Sequence, residues 1–345
     1  MTFSSIVGTD SANALIANES GSDSITALAG NDTLTGFGGN DIADLGTGHD
    51  TLSGAIATDG ASVDGAAGND LLSLATTFAT STVRGGTGNG TIVLDVAGTS
   101  AFAAGGLGDD SLYITSDLTN ATVYGNAGTI ETTDGKDSIF LSGGAVSSYL
   151  SAGAGNDSLD VTGKITSTEV FGGSGNDVVN LRSALTSTIA GGKGKDSITI
   201  NGGLINSSVY GAGAQVVTDD GADSLVVTSE TTSSEVQGNG GNDTIWFVED
   251  VDASTVKGGD SIDYINAVQE VDESEVAGNK GNDSVFLQGV VKASTVYGGG
   301  ASNTTDDGAD SLYVGGTLTA SSVYGNAGND TIALNSTVRR SFITA

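Results

Sequence analysis

Aliphatic residues recur along this 345-residue chain at positions locked to a regularly spaced aspartate. Strings of the type (G/N)-D-(S/T)-(L/I) supply the register. With that Asp as position zero, position +2 is Leu52, Leu72, Ile92, Leu112, Ile139, Leu159, Val179, Ile198, Leu225, Ile245, Ile265, Val285, Leu312 and Ile332. All are aliphatic. Position +4 is apolar as well, from Leu74 and Leu94 through Phe247 to Val314 and Leu334. Apolar residues two apart between polar neighbours are the signature of a strand with one buried face. A second short strand is marked at +13, by Val63, Val83, Val123, Val236 and Val323 among others. Between the two lies a polar turn with one aliphatic residue at +8, such as Leu118, Ile165, Val271 or Leu318. A Gly-rich turn closes the unit. The Gly, Thr, Val and Ser content disfavours helix.

The spacing of the marked positions sets the architecture. Asp23, Asp32, Asp41 and Asp50 stand nine residues apart. From Asp50 the step is 20, through Asp70, Gly90 (filling the Asp slot) and Asp110. The series continues with Asp137, Asp157, Asp177, Asp196, Asp223, Asp243, Asp263, Asp283, Asp310 and Asp330. Three steps of 27 residues, ending at Asp137, Asp223 and Asp310, are 20-residue repeats carrying insertions near 125–136, 211–222 and 298–309. They create a super-repeat of about 87 residues, four repeats long. Such a unit cannot bury its apolar face alone, whereas stacked units share a continuous thin core. The pattern predicts an all-β chain forming a parallel β-solenoid, with nine-residue repeats over 1–54 and 20-residue two-strand coils over 55–345. It reads as a single elongated domain. With about 4.8 Å between strands, some sixteen coils would make a rod about 75 Å long. Handedness stays open.

Composition narrows the possible functions. The chain has 55 Gly, no Pro and no Cys. Without Pro, collagen-like structure is excluded. Without Cys, so are disulfides and thiolate metal sites. A formal net charge of −31 argues against a nucleic-acid partner. No apolar stretch is long enough to span a membrane, and the first twenty residues show no signal-peptide pattern. A hydrophobic content of 37% argues against disorder despite the charge. Missing proline fits strands that must donate hydrogen bonds to neighbours on both sides.

The turns carry the candidate chemistry. They read GFGGNDIAD, GTGHDTLSG, GAAGNDLLS, GGSGNDVVN and GNAGNDTIA. Here the chain resembles the RTX (hemolysin-type) family of calcium-binding repeats, whose nonapeptide is GGxGxDxUx. The fit is close over 8–54 and looser from 55 to 345. The resemblance implies Ca²⁺ between the turns of successive coils, held by Asp carboxylates and turn carbonyls. The chemistry agrees independently. Calcium takes six to eight oxygens at about 2.3–2.6 Å, Gly allows several carbonyls to aim at one point, and stacked carboxylates about 5 Å apart repel one another without a cation. Asn and Asp favour single turns without any metal, but that preference does not require like charges to align in a stack. The expected ligands are Asp23, Asp32, Asp41, Asp50, Asp70, Asp110, Asp137, Asp157, Asp177, Asp196, Asp223, Asp243, Asp263, Asp283, Asp310 and Asp330, joined by Asp134, Asp220 and Asp307 from the insertions. On the order of a dozen Ca²⁺ would nearly offset the charge. Weaker sites are expected at Gly90 and around Asp263, where Ile262 replaces Asn and Asp260 is a substitute ligand. Lys136 and Lys195 would oppose a cation unless they point to solvent.

Catalysis finds little footing. His49, the lone histidine, fills the Asn slot of a turn, and one His without Cys makes Ser-His or zinc chemistry implausible. Trp246 should point outward. No cap is legible at either end, which predicts subunits stacking head to tail into a filament or lattice. The leading expectation is therefore a non-enzymatic, calcium-ordered extracellular protein of a surface layer, sheath or filament. The resemblance implies bacterial type I export without a cleaved N-terminal signal. The alternatives are an adhesin or stalk meeting cell-surface glycans through the insertions, each of which follows a Tyr-Gly pair at Tyr124, Tyr210 or Tyr297, and, less favoured, a polysaccharide-active enzyme.

Overall fold

The computed structural model describes residues 4–18, 21–55, 59–75, 78–95, 98–128, 134–213, 220–300 and 308–345. Among them every regular element is a short strand. The chain divides into two compact units, Met1–Ser174 and Gly175–Ala345. Each is a parallel β-solenoid.

In the first unit, each strand pairs in parallel with the equivalent strand one coil later. The early coils advance by 18 or 19 residues, with Ala14 opposite Thr33, Thr33 opposite Thr51, and Ser24 opposite Ile42. Two nine-residue repeats thus make one coil. From Thr51 opposite Leu71 onward the advance is 20. The first insertion stretches one step to 27, with Ser111 opposite Ser138, yet the ladders on both sides keep their register, Leu112 on Ile139 and Tyr124 on Ser151. Leu52, Leu72, Ile92, Leu112, Ile139 and Leu159 are buried from one ladder, and Val63, Val83, Ala103, Val123, Leu150 and Val170 from the other. Each fully buried aliphatic side chain contributes about 1.5–3 kcal/mol, so the thin core grows in strength with every coil added.

The second unit repeats the plan. One step shortens to 19, Val178 to Ser197, and two lengthen to 27, Ser197 to Ser224 and Ser284 to Ser311. Val179, Ile198, Leu225, Ile245, Ile265, Val285 and Leu312 are buried, as are Ile189, Val209, Val236, Val256, Val276, Val296 and Val323. Trp246 is 39% exposed on the outer face, as expected from its odd position in the strand.

Most of the described 20-residue coils carry three strands and not two, although at Ser158–Thr166 and Val178–Leu185 the first two run on as one. The polar turn expected around +8 is a strand of its own, seen at Leu118–Thr119 and Ala145–Val146 in the first unit and at Leu204–Ile205, Thr231–Thr232 and Val251–Asp252 in the second. The physical reason is backbone satisfaction. Residue +8 faces inward, so the amides around it find partners in the next coil: Leu118 N–H donates to Gly144 O at 2.9 Å, and Asn120 N–H to Val146 O at 2.9 Å. The corner that follows is left-handed at residues other than glycine. Thr80, Ser100, Asn120, Ser147 and Ser167 have φ between 49° and 53°. This conformation costs roughly 1–2 kcal/mol per residue and persists because ladders on either side fix it.

Candidate metal centre

The marked aspartates form a hydrogen-bonded ladder along one turn of each unit. Each carboxylate reaches back one coil and accepts the backbone N–H of its predecessor through Oδ1. In the first unit Asp32 N–H donates to Asp50 at 2.7 Å, Asp50 to Asp70 at 2.8 Å, Asp110 to Asp137 at 2.9 Å and Asp137 to Asp157 at 2.8 Å. In the second, Asp177 donates to Asp196, Asp196 to Asp223, Asp223 to Asp243, Asp243 to Asp263, Asp263 to Asp283 and Asp283 to Asp310, all at 2.7–2.8 Å. The last step, Asp310 to Asp330, is 3.0 Å. Gly90 interrupts the series as an acceptor but not as a donor, since its N–H bonds Asp110 Oδ1 at 2.6 Å.

One oxygen of each carboxylate is thereby used. The second oxygen, Oδ2, is buried without a hydrogen-bond partner at Asp32, Asp50, Asp70, Asp110, Asp137, Asp196, Asp223, Asp243 and Asp263. These side chains are 0–2% exposed. An unpaired buried carboxylate costs several kcal/mol, so it must either hold a proton or meet a cation. Burial accordingly pushes the carboxyls up, with neighbouring carboxylates adding to the effect and the backbone hydrogen bonds opposing it. Asp70 and Asp196 rise to about 6, Asp110 and Asp243 to about 7, Asp137 to about 8, and Asp223 and Asp263 to about 9.

The free oxygens share their space with backbone carbonyls. A Cβ added to Gly65 would come within 2.7 Å of Asp70 Oδ2 and would also meet the carbonyl of Gly85, one coil on. At Gly105 the distance to Asp110 Oδ2 is 2.8 Å, again beside the next coil's carbonyl, that of Gly125. At Gly65 and Gly105 a side chain would crowd these oxygens, whereas Ala27, Leu45 and Ala152 fill the same position in other coils. The donors are all oxygen, an unpartnered carboxylate oxygen at each of these nine turns and backbone carbonyls close by, which suits a hard cation such as Ca²⁺. Among the described residues no three or more His, Cys, Asp or Glu side chains converge on one point. A cation here would therefore be held by one or two carboxylates and by backbone carbonyls.

The remaining expected ligands fall into distinct places. Asp23 and Asp41 lie on the opposite turn, off the main ladder. Asp23 N–H donates to Asp41 Oδ1 at 2.7 Å, but their Oδ2 atoms also accept backbone N–H groups, from Asn18 at 2.6 Å and Gly38 at 2.8 Å. Asp134 and Asp220 place a further carboxylate beside the ladder, and their Oδ2 atoms are likewise buried and unpartnered. Asp307 lies outside the described residues. Asp260 does not substitute in the ladder: it is half exposed and pairs with Lys280 at 3.1 Å. Ile262 sits outward, 54% exposed. Lys136 and Lys195 are exposed, and only their backbone N–H groups engage the turn, on Asp109 at 2.7 Å and Asn176 at 2.8 Å. His49 is a turn residue, its N–H donating to Asn31 at 3.0 Å and its Nδ1 accepting Asn69 N–H at 2.8 Å.

A second ladder escaped the sequence reading. At position +11, on the turn that carries Asp23 and Asp41 in the early coils, later coils carry a buried Ser or Thr. Ser207 N–H donates to Ser234 Oγ at 3.2 Å, Ser234 to Ser254 at 3.1 Å, Ser254 to Ser274 at 3.0 Å and Ser274 to Ser294 at 3.1 Å. Each Oγ donates in turn to the carbonyl two residues earlier, as Ser254 does to Asp252 at 2.7 Å. The hydroxyl does what Asp Oδ1 does on the other turn, but adds no charge and no spare oxygen. The signal was present as Ser in SSEV, ASTV and ESEV at a 20-residue step. Ser254→Ala should cost about 1–3 kcal/mol in denaturant unfolding at saturating calcium, because Ser234 N–H loses its acceptor. Bound calcium, counted by elemental analysis, should stay unchanged. A lost ion would show that this turn also holds metal.

The model of the RTX calcium-binding nonapeptide repeat matches residues 18–52 and 234–247, four copies in all. No curated protein matches the chain. Among solved structures, it is similar to a hyperactive, Ca²⁺-dependent, β-helical antifreeze protein from an Antarctic bacterium, with 22% identity and a TM-score of 0.53, over 93% of this chain and 83% of that one. Among the described residues, no helix is long and apolar enough to cross a membrane. The chain is thus a parallel β-solenoid that carries RTX calcium-binding nonapeptide repeats within residues 18–52 and 234–247.

Proposed function

We propose that the protein is an extracellular structural solenoid, ordered by Ca²⁺ and assembling with further copies of itself into a surface layer, sheath or filament. The observation that carries this reading is that one coil plan, with its turn aspartate, occupies the described residues from end to end of both units. Bound ions would neutralise the free Oδ2 atoms and tie successive turns together. Outside a cell, millimolar calcium fills even weak sites, and folding coupled to metal can follow export. The −31 charge then belongs to a chain awaiting its cations.

A second reading, adhesion to glycans, draws on an aromatic row on the outer face of the first unit. Phe102, Tyr124, Tyr149 and Phe171 follow one another at ring-centroid distances of 5.8, 5.4 and 5.4 Å, with the Arg84 guanidinium 4.9 Å from the Phe102 centroid. A Cβ added at Gly128, at the start of the first insertion, would come within 3.0 Å of the Tyr124 ring.

Electron microscopy of the purified chain, with calcium and with chelator, tests the structural reading. Ordered polymers or sheets that form with calcium and disperse without it are expected. Discrete particles at high protein concentration with calcium would refute assembly. Glycan binding by those particles would favour adhesion instead.

A further inference from the structure

The insertions differ from ordinary turns in one respect. In an ordinary coil, the residue three before the marked Asp presents its backbone carbonyl to the Gly N–H of the preceding coil. Gly48 N–H donates in this way to Ala67 O at 2.8 Å, Gly68 to Thr87 O at 2.8 Å and Gly88 to Leu107 O at 2.7 Å. Asp134 and Asp220 occupy this slot where the chain carries insertions. There the side chain replaces the carbonyl. Gly108 N–H donates to Asp134 Oδ1 at 3.0 Å, and Gly135 N–H to the same oxygen at 2.8 Å. In the second unit Gly221 N–H donates to Asp220 Oδ1 at 3.0 Å, and Gly194 bonds the same carboxylate.

The substitution puts a full negative charge where other coils have a neutral dipole. Oδ2 of each inserted Asp is buried and unpartnered. It stands beside ladder carboxylates that are themselves at most 2% exposed with an unpartnered Oδ2: Asp110 and Asp137 for Asp134, Asp196 and Asp223 for Asp220. Slot alone does not produce this. Asp260 stands three before Asp263 in a coil without an insertion, and its carboxylate turns out to Lys280.

We infer that the insertions carrying Asp134 and Asp220 each build a reinforced cation site, in which the inserted Asp pairs with a ladder carboxylate and backbone carbonyls, and that these two sites fill before the rest as calcium rises. The inference rests on the calcium reading above. A further carboxylate raises calcium affinity, because ligand charge is what tunes such sites over orders of magnitude. The two sites therefore bind on the order of tenfold more tightly than ordinary turns. Asp134 lies in the first unit and Asp220 in the second, so each unit has a site from which ordering can spread along its coils.

Calorimetric titration of the full chain with calcium distinguishes the possibilities. The wild type should show a tight class and a weaker, more numerous class. Asp134→Asn should remove one ion from the tight class, and Asp134→Asn with Asp220→Asn two, while Asp70→Asn removes an ion from the weaker class only. A double variant with an undiminished tight class would overturn the inference and leave the calcium reading intact. A wild type that takes up no calcium would overturn both. Should the Asn variants fail to fold, anomalous scattering from wild-type crystals at limiting calcium decides instead. Ions should appear first at the turns of Asp137 and Asp223, and uniform filling would refute the order proposed.

Discussion

Stripping calcium with excess chelator at pH 8 is expected to abolish the β circular-dichroism signal of this protein in one cooperative transition, and restoring calcium should bring it back. Without a cation, the ladder carboxylates repel one another at the strand spacing of about 4.8 Å. At an effective dielectric of about 20, each such neighbour pair costs on the order of 3 kcal/mol. With calcium at a hundred times its dissociation constant, each filled site contributes about 2.7 kcal/mol. A few sites together exceed the 5–15 kcal/mol that separates typical folded and unfolded chains. Loss of the ions should therefore tip the balance outright. A spectrum unchanged in excess chelator would refute a calcium-dependent fold.

Protons should partly replace the missing ions, which gives the second expectation. In calcium-free buffer, thermal stability should fall as pH rises from 5 to 9. Unfolded, the ladder aspartates titrate near 3.8, whereas in the fold burial raises Asp196 to about 6, Asp110 to about 7, Asp137 to about 8 and Asp223 to about 9. Between those limits the native state holds more protons than the unfolded chain. Stability contributed by the protonated form is then lost with rising pH, up to about 1.4 kcal/mol per unit for each group in its window. Calcium reverses the outlook, because ions and protons compete for the same oxygens. The gain in melting temperature on adding calcium should be largest near pH 9 and shrink steadily toward pH 5. A calcium-free protein that grows more stable from pH 5 to 9 would show that the Oδ2 atoms are neutralised in some other way.

Much of the fold was legible because position and period coincide. Leu112, Ile139 and Val123 are buried where their spacing from the marked Asp put them. The ladder aspartates could be read for the same reason. What stayed hidden has physical causes. A two-residue strand such as Leu118–Thr119 is too short to show any alternation. Its slot holds Gly98, Ala145 and Thr231 as readily as Leu118, since the backbone ladder and not the side chain maintains it. Ser254 reads as one more polar residue of a turn, although its hydroxyl stands in for a carboxylate. The left-handed corner at Ser147 or Ala253 carries no glycine to announce it, because neighbouring coils impose the conformation. Asp23 and Asp41 looked equivalent to Asp32 and Asp50 at a nine-residue step. Only the assignment of two repeats to one coil sends them to opposite turns.

The serine ladder also gives the 20-residue coils an asymmetric mechanical character. On the aspartate side, the spacing between successive turns would answer to any ions held between them. On the serine side it is set by neutral hydroxyl bonds such as Ser234 to Ser254, which no chelator touches. Within each unit, partial loss of calcium should therefore loosen the coils along the aspartate margin first, while the serine margin keeps its register until the fold itself gives way.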